Sequence, residues 1–148
     1  MDKKFVYGWW IPKEDQHFEG YFSKSIQENM FNIGIDYAYT SAKNIETGKQ
    51  LIYVPYHKVT GTIDYRIQRF NAYYQQLFNG KVFTTTDNST YLDSYLVSNI
   101  GLDYFFLYKT MPIKIGFKIN NILNKYYENV AYRPMPNRNI LTTITFKF

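Results

Sequence analysis

The sequence predicts an all-β fold, with about eight antiparallel transmembrane strands of a β-barrel. Three observations carry this. Apolar residues recur at period two, not 3.6, over most of the 148 residues. The apolar face of the best segments carries no charge. The connections alternate between short turns and long polar loops.

Each element has its own pattern. In 30–41, Phe31, Ile33, Ile35, Tyr37 and Tyr39 share one face, with Asn32, Gly34, Asp36, Ala38 and Thr40 on the other. In 58–69, Val59, Ile63, Tyr65 and Ile67 oppose Lys58, Thr60, Thr62, Asp64, Arg66 and Gln68. In 112–119, Ile113, Ile115, Phe117 and Ile119 oppose Lys114, Gly116 and Lys118. The last segment sets Ile140, Thr142, Ile144, Phe146 and Phe148 against Leu141, Thr143, Thr145 and Lys147. Strands that alternate in this way separate two different environments. Weaker patterns predict strands at 3–10, 17–26, 71–78 and 95–108. In 95–108, Phe105 and Leu107 make one end apolar on both sides.

Short connections fall near Gln27–Glu28, Arg69–Phe70 and Thr110–Pro112. Long ones run over 42–56, 79–92 and 124–137. Along an antiparallel meander this collects the turns at one end and the loops at the other. Outer-membrane barrels have that asymmetry, and a tilted strand of about 9–11 residues crosses the bilayer. Aromatics at the ends of 31–39 with aliphatics between fit a lipid-facing strand with interfacial girdles. The alternative is a small self-contained eight-stranded barrel, either an outer-membrane protein or a soluble lipocalin-like ligand carrier.

Composition narrows the classes. There are 16 Tyr, 12 Phe and 2 Trp, as expected where β-structure dominates. No apolar run approaches the roughly 18 residues of a membrane helix. With 45% hydrophobic and 20% charged residues the chain is not disordered. The absence of cysteine excludes disulfides, thiolate nucleophiles and Cys-based metal sites. The net charge of +5 is no polybasic footprint.

Chemistry-bearing constellations are sparse. His17 and His57 match no metal-ligand spacing, and no cofactor is expected. Asp87, Asn88 and Asp93 lack the EF-hand spacing and its glycine, so a solvated loop is expected. Asn88-Ser89-Thr90 is a bare glycosylation pattern without further support. There is no nucleophile elbow, so no enzyme is expected. Asp36, Asp64 and Asp103 lie on polar faces, where they are expected to hydrate a channel wall or to pair with Lys58, Arg66, Lys114 and Lys118 rather than to catalyse. Aromatics and charges occupy opposite faces, so they cannot line one groove, and no nucleic-acid partner is expected.

The C-terminal third carries a more specific signal. Ile119-Asn120-Asn121-Ile122-Leu123-Asn124-Lys125-Tyr126-Tyr127-Glu128 resembles the "N-L-F-x-K-x-Y-E" passage of TonB-dependent outer-membrane receptors. Arg133-Pro134-Met135-Pro136-Asn137-Arg138-Asn139 is similar to their "P-x-P-G-R" stretch, with Asn137 in place of the usual Gly. Asn also tolerates left-handed backbone. Leu51-Ile52-Tyr53-Val54-Pro55-Tyr56-His57 is similar to a passage that leads into a late barrel strand.

The resemblance implies a fold, a role and partners. Residues 1–148 are expected to be a single partial barrel domain, the C-terminal part of a larger barrel, without a plug domain, TonB box or signal peptide. The implied role is uptake of an iron–siderophore complex, cobalamin or a similar scarce nutrient across the bacterial outer membrane. Implied partners are outer-membrane lipid, the remaining strands and plug of the receptor, the barrel-assembly machinery, and the TonB complex through the N-terminal part. Tyr53, Tyr56, Phe83, Tyr91, Tyr126, Tyr127 and Tyr132 are the candidate ligand contacts in the loops, with an outer aromatic girdle as their other reading. Ile144, Phe146 and Phe148 are expected to form the C-terminal barrel-assembly signal.

Overall fold

A computed structural model describes residues 4–8, 15–27 and 30–147, with side chains from residue 30 onward. Twelve strands follow in chain order. They are β1 (Lys4–Gly8), β2 (Asp15–Gln27), β3 (Phe31–Asn44), β4 (His57–Ile67), β5 (Phe70–Asn79), β6 (Val82–Phe83), β7 (Tyr91–Leu92), β8 (Tyr95–Tyr108), β9 (Met111–Asn120), β10 (Glu128–Val130), β11 (Arg133–Pro134) and β12 (Asn139–Phe146). Eight of them form one antiparallel sheet in the order β1-β2-β3-β4-β5-β8-β9-β12. The four short strands pair as two loop hairpins, β6 with β7 and β10 with β11.

Among the described residues the sheet is open, because β1 and β12 each pair on one side only. A closed eight-stranded barrel is therefore not what this chain forms. The strand at 95–108 matches its expected bounds. The one expected over 58–69 stops at Ile67, because Gln68 turns with a left-handed φ of 49°. Lys109 does the same at φ 56° between β8 and β9. Phe148 lies outside the described residues, as do the expected strand's Lys3, Trp9 and Trp10.

Register explains how the alternation acts. Directly paired residues share a face. One row runs Ile33, Ile63, Tyr74, Ile100, Ile119, Ile140 across six strands. A second runs Phe31, Tyr65, Ala72, Leu102, Phe117, Thr142. No Asp, Glu, Lys or Arg falls on this face in 31–39, 57–67, 70–78, 96–108, 111–119 or 140–146. A one-residue slip would carry Asp64, Asp103 and Lys118 onto it, so the register is strongly specified.

The apolar face is not a buried core. Ile33, Ile63 and Ile144 are 45%, 44% and 58% exposed. Among the described residues only Ala42, Val82 and Val97 are buried hydrophobics. A soluble lipocalin-like barrel turns its apolar face inward, so the exposed face argues against that alternative. It is the surface a bilayer would cover.

Aromatic residues bracket this face. At the short-turn end, the Phe31 and Tyr65 rings are 4.5 Å apart, and those of Phe70 and Tyr104 are 4.7 Å apart. At the long-loop end, Tyr39 stands 5.3 Å from His57 and 6.3 Å from Tyr56. Eight residues separate Phe31 from Tyr39. At about 3.3 Å per residue and about 40° of tilt, that is a height of roughly 20 Å, close to an outer-membrane apolar band.

Polar groups on the apolar face satisfy one another. The Ser98 hydroxyl donates to Gln76 Oε1 at 3.0 Å, and Gln76 Nε2 donates to the Val97 carbonyl at 3.3 Å. The Tyr74 hydroxyl also donates to Gln76. In hydrocarbon each of these would cost several kcal/mol if left open. On the polar face the Tyr73 ring lies over Gly101. A Cβ there would come within 2.2 Å of it, so a larger residue would force the ring to move.

Lysine substitutions separate the two faces. Ile63→Lys and Ile115→Lys should each destabilise the protein folded into lipid by about 2–4 kcal/mol. Thr62→Lys and Gln75→Lys, on the polar face, should cost less. Denaturant titration in lipid vesicles reads the difference, and equal costs would reject the facing.

Candidate functional site

The three long connections lie at one end of the sheet, and side chains tie the first two together. Gln50 is the first organiser. It is 2% exposed, accepts the Ala42 amide on Oε1 at 3.1 Å, and donates Nε2 to the Thr40 and Val54 carbonyls at 3.4 and 3.3 Å. It thus stands in for the backbone partners that β3 loses where the loop leaves the sheet.

The second loop docks on the first. Lys49 Nζ donates to the Asp87 carbonyl at 2.9 Å, Asn88 Nδ2 to the Gln50 carbonyl at 2.9 Å, and the Tyr53 amide to the Phe83 carbonyl at 2.8 Å. Within the second loop, the Asp87 carboxylate accepts the Ser89 amide at 3.1 Å and its hydroxyl at 2.8 Å. Hydrogen bonds from Thr85 and Ser89 hold its pKa down at about 2. This is a capped turn.

The third loop is organised by two asparagines and a glutamate. Asn121 is 2% exposed; its Nδ2 donates to the Lys125 carbonyl and its Oδ1 accepts the Lys125 amide, both at 2.8 Å. Asn124 Oδ1 accepts the Arg138 amide at 2.9 Å. Both asparagines have φ 51°, which Asn tolerates better than most residues. Glu128 takes the Tyr126 hydroxyl on Oε1 at 2.6 Å and the Tyr132 amide on Oε2 at 3.1 Å. The first of these bonds raises the Tyr126 pKa. Tyr132 stands at φ 64° and 96% exposure, a bulky residue held in a left-handed tip.

Two adjoining cavities open among these loops. The larger, about 590 Å³, has walls from Tyr53, Val54, Lys58, Asp93, Tyr95, Glu128 and Asn129. The smaller, about 370 Å³, is lined by Tyr91, Asp93, Tyr95, Lys125, Tyr126, Tyr127 and Glu128. The Tyr95 hydroxyl donates to Asn129 Oδ1 at 2.6 Å, and its ring lies 4.5 Å from that of Tyr127. Asp93, Tyr95 and Glu128 line both.

The aromatic candidates from the sequence therefore divide. Tyr53, Tyr91, Tyr126 and Tyr127 line the cavities. Tyr56 stacks on Tyr39 and belongs to the girdle instead. Phe83 and Tyr91 flank the Lys81 ammonium, 5.3 and 4.5 Å from their ring centroids. Tyr132 projects at the tip and lines neither cavity. Ile144 and Phe146 lie exposed on the apolar face at the β12 edge.

Other expectations also divide. Of the anticipated charge pairs, Asp103 meets Lys114 at 3.8 Å, and Asp36 and Asp64 form no ion pair among the described residues. Asp36 stands in register with Ser23 and Thr60, and Asp64 with Asn32 and Tyr73, none of them a lysine or arginine, which periodicity within one strand cannot show. His57 Nδ1 lies 2.9 Å from the Tyr37 hydroxyl. Gln50, Tyr95 and Asn129 carry no signal in the sequence. Their partners lie 4 to 34 residues away.

No protein-family model matches the sequence, and no curated protein matches it. Solved structures do match in fold. The ferric preacinetobactin receptor BauA of Acinetobacter baumannii is similar at a TM-score of 0.74 and 12% identity, over 93% of this chain and 23% of that receptor. The siderophore receptor PiuA of the same species is similar at 0.68 and 18%, over 90% and 22%. FpvA of P. aeruginosa, a structure with bound pyoverdine and iron, is similar at 0.68 and 13%, over 88% and 19%. The fold is thus that of a β-barrel segment from siderophore receptors. The chain spans between 19% and 23% of these three proteins.

Two predictions test the loop scaffold. Gln50→Ala leaves the Ala42 amide without its partner and should lower the local opening free energy by about 1–3 kcal/mol. Hydrogen exchange should then quicken at Ala42 while Ile63 is unchanged. For Asp87 the folded pKa lies below the unfolded value of 3.8. The ionised carboxylate therefore supports the turn above that value, and its support is lost as pH falls through about 2. Protection of the Ser89 amide should survive at about pH 3 and collapse near pH 1, read by exchange-quenched NMR.

Proposed function

We propose that this chain is the C-terminal barrel segment of a TonB-dependent receptor that takes up a ferric siderophore, cobalamin or a similar scarce nutrient across the bacterial outer membrane. One observation carries the reading. A charge-free apolar face lies between two aromatic belts, and every long loop stands at the same rim. That arrangement suits a wall that faces lipid on one side and a polar lumen on the other. The fold shared with siderophore receptors supports it.

In this reading the chain transports and does no bond-making chemistry. The apolar face contacts outer-membrane lipid. The unpaired edges of β1 and β12 meet the remaining strands of the receptor. A plug and the TonB complex act through the part of the receptor that this chain does not cover. Ile144, Phe146 and Phe148 serve as the signal read by the barrel-assembly machinery. The loop aromatics at the cavities, Tyr53, Tyr91, Tyr126 and Tyr127, contact the nutrient. A loop position for these contacts follows the general placement of recognition on loops held by a rigid scaffold.

Cysteine labelling of the receptor in intact cells tests the reading. Asn88→Cys should react with a membrane-impermeant maleimide from outside. Thr110→Cys should react only after the outer membrane is opened. The reverse pattern would overturn the orientation, and labelling of both from outside would overturn the membrane reading itself.

A further inference from the structure

The polar face carries an apolar patch at the short-turn rim. Phe105 and Leu107 stand there at 43% and 66% exposure. Phe105 pairs in register with Lys114, Leu107 with Pro112, and Lys114 with Thr145, so these residues share the face of Asp103 and Lys118. A bilayer over the isoleucine rows would lie on the other side of the sheet and could not cover them. The patch floors an open pocket of about 520 Å³, whose walls hold three cations, Arg69, Lys114 and Lys147, and no carboxylate. Backbone bonds set the outer two beside the floor. The Phe105 amide donates to the Arg69 carbonyl at 2.8 Å, and the Lys147 amide to the Pro112 carbonyl at 3.2 Å. Lys114 meets Asp103 at 3.8 Å. Among the described residues the Arg69 and Lys147 side chains form no hydrogen bond or ion pair.

We propose that this patch docks an apolar, acidic segment of the receptor's own polypeptide from outside these 148 residues. An apolar side chain of that segment packs on Phe105 and Leu107, and its carboxylates meet Arg69 and Lys147. The inference rests on the receptor reading above, in which most of the polypeptide lies outside this chain, since the chain matches only 19% to 23% of the receptors that share its fold. An apolar centre with a charged rim is the anatomy of a protein interface. A purely apolar cover would bury two cations without partners, which is costly. The spacing of the cations favours a polypeptide over a small amphiphile. Arg69 sits at the turn before β5 and Lys147 just beyond β12, with β8 and β9 between these strands. Three strand spacings amount to about 14 Å. Carboxylates placed along a chain reach both cations, whereas a single headgroup reaches one.

Photo-crosslinking in the full receptor tests this, with Phe105 replaced by the photoreactive benzoylphenylalanine and the product identified by mass spectrometry. The crosslinked peptide should come from the same polypeptide outside these 148 residues. It should carry Asp or Glu within a few residues of an apolar one. Arg69→Glu in the same background should lower the yield by about tenfold, because the rim charge then repels the segment. In the receptor with Arg69 intact, raising the salt concentration should lower the yield in the same direction. Adducts to lipid or to a separate protein, a crosslinked peptide without carboxylates, or no crosslink at all would each overturn the inference. A yield unmoved by both Arg69→Glu and salt would overturn it as well. None of these outcomes bears on the receptor reading, which the labelling of Asn88→Cys and Thr110→Cys judges separately.

Discussion

Backbone hydrogen bonding between neighbouring strands is the constraint on which the rest of the structure depends. A bilayer supplies no water to an open amide or carbonyl, so every strand within it needs partners on both sides. Six interior strands of this sheet have them. The edges at β1 and β12 do not, and all eight residues of β12 are exposed. In the reading proposed for this chain, further strands cover those edges. The same constraint explains why irregular backbone is confined to the turns and the loop rim. It also explains why Gln76, Ser98 and Tyr74 close their hydrogen bonds among themselves on the apolar face.

Register converts this ladder into two surfaces. Because the side-chain period is two, a fixed pairing sends every Ile of the central row to one side and the charged residues to the other. Close fits such as Tyr73 over Gly101 pin that pairing on the polar face. On the apolar face the aromatic belts mark where the hydrocarbon would end, since Tyr and His present an apolar body with a polar tip. The Tyr37–His57 contact shows such a tip satisfied within the belt. The hydrophobic term here would be gained against lipid rather than within a core. That is why so little apolar side chain is buried in the chain itself.

The loops obey a different logic. They have few ladder bonds, so side chains supply what the backbone lacks. Gln50 and Asn121, each 2% exposed, take the place of strand partners. Left-handed residues at Tyr53, Asn88, Asn121, Asn124 and Tyr132 let the chain reverse within short spans. Such positions carry local strain that persists where the surroundings over-determine them. Glu128 does so at Tyr132 by binding its amide. The result is a rim rigid enough to shape cavities.

Much of the sheet was legible in the sequence because alternation is a local property of each strand. The segment 95–108 and the faces of 31–39 and 112–119 follow from period two alone, and the sorting of long and short connections follows from counting. The Asn121–Glu128 passage was legible as a family-like motif, but its mechanics were not. The two-residue ladders β6–β7 and β10–β11 were invisible, since two residues cannot display a period. Tertiary structure decided everything that depends on which strand lies beside which. It joined Asp103 to Lys114 and left Asp36 and Asp64 unpaired among the described residues. It sent Tyr56 to the girdle and Tyr53 to the cavity, and it gathered Asp93, Tyr95 and Glu128 from distant parts of the chain. The physical reason is the same in each case. Alternation within a strand fixes which side a residue faces, whereas only the pairing between strands and the docking of loops fixes what it meets there.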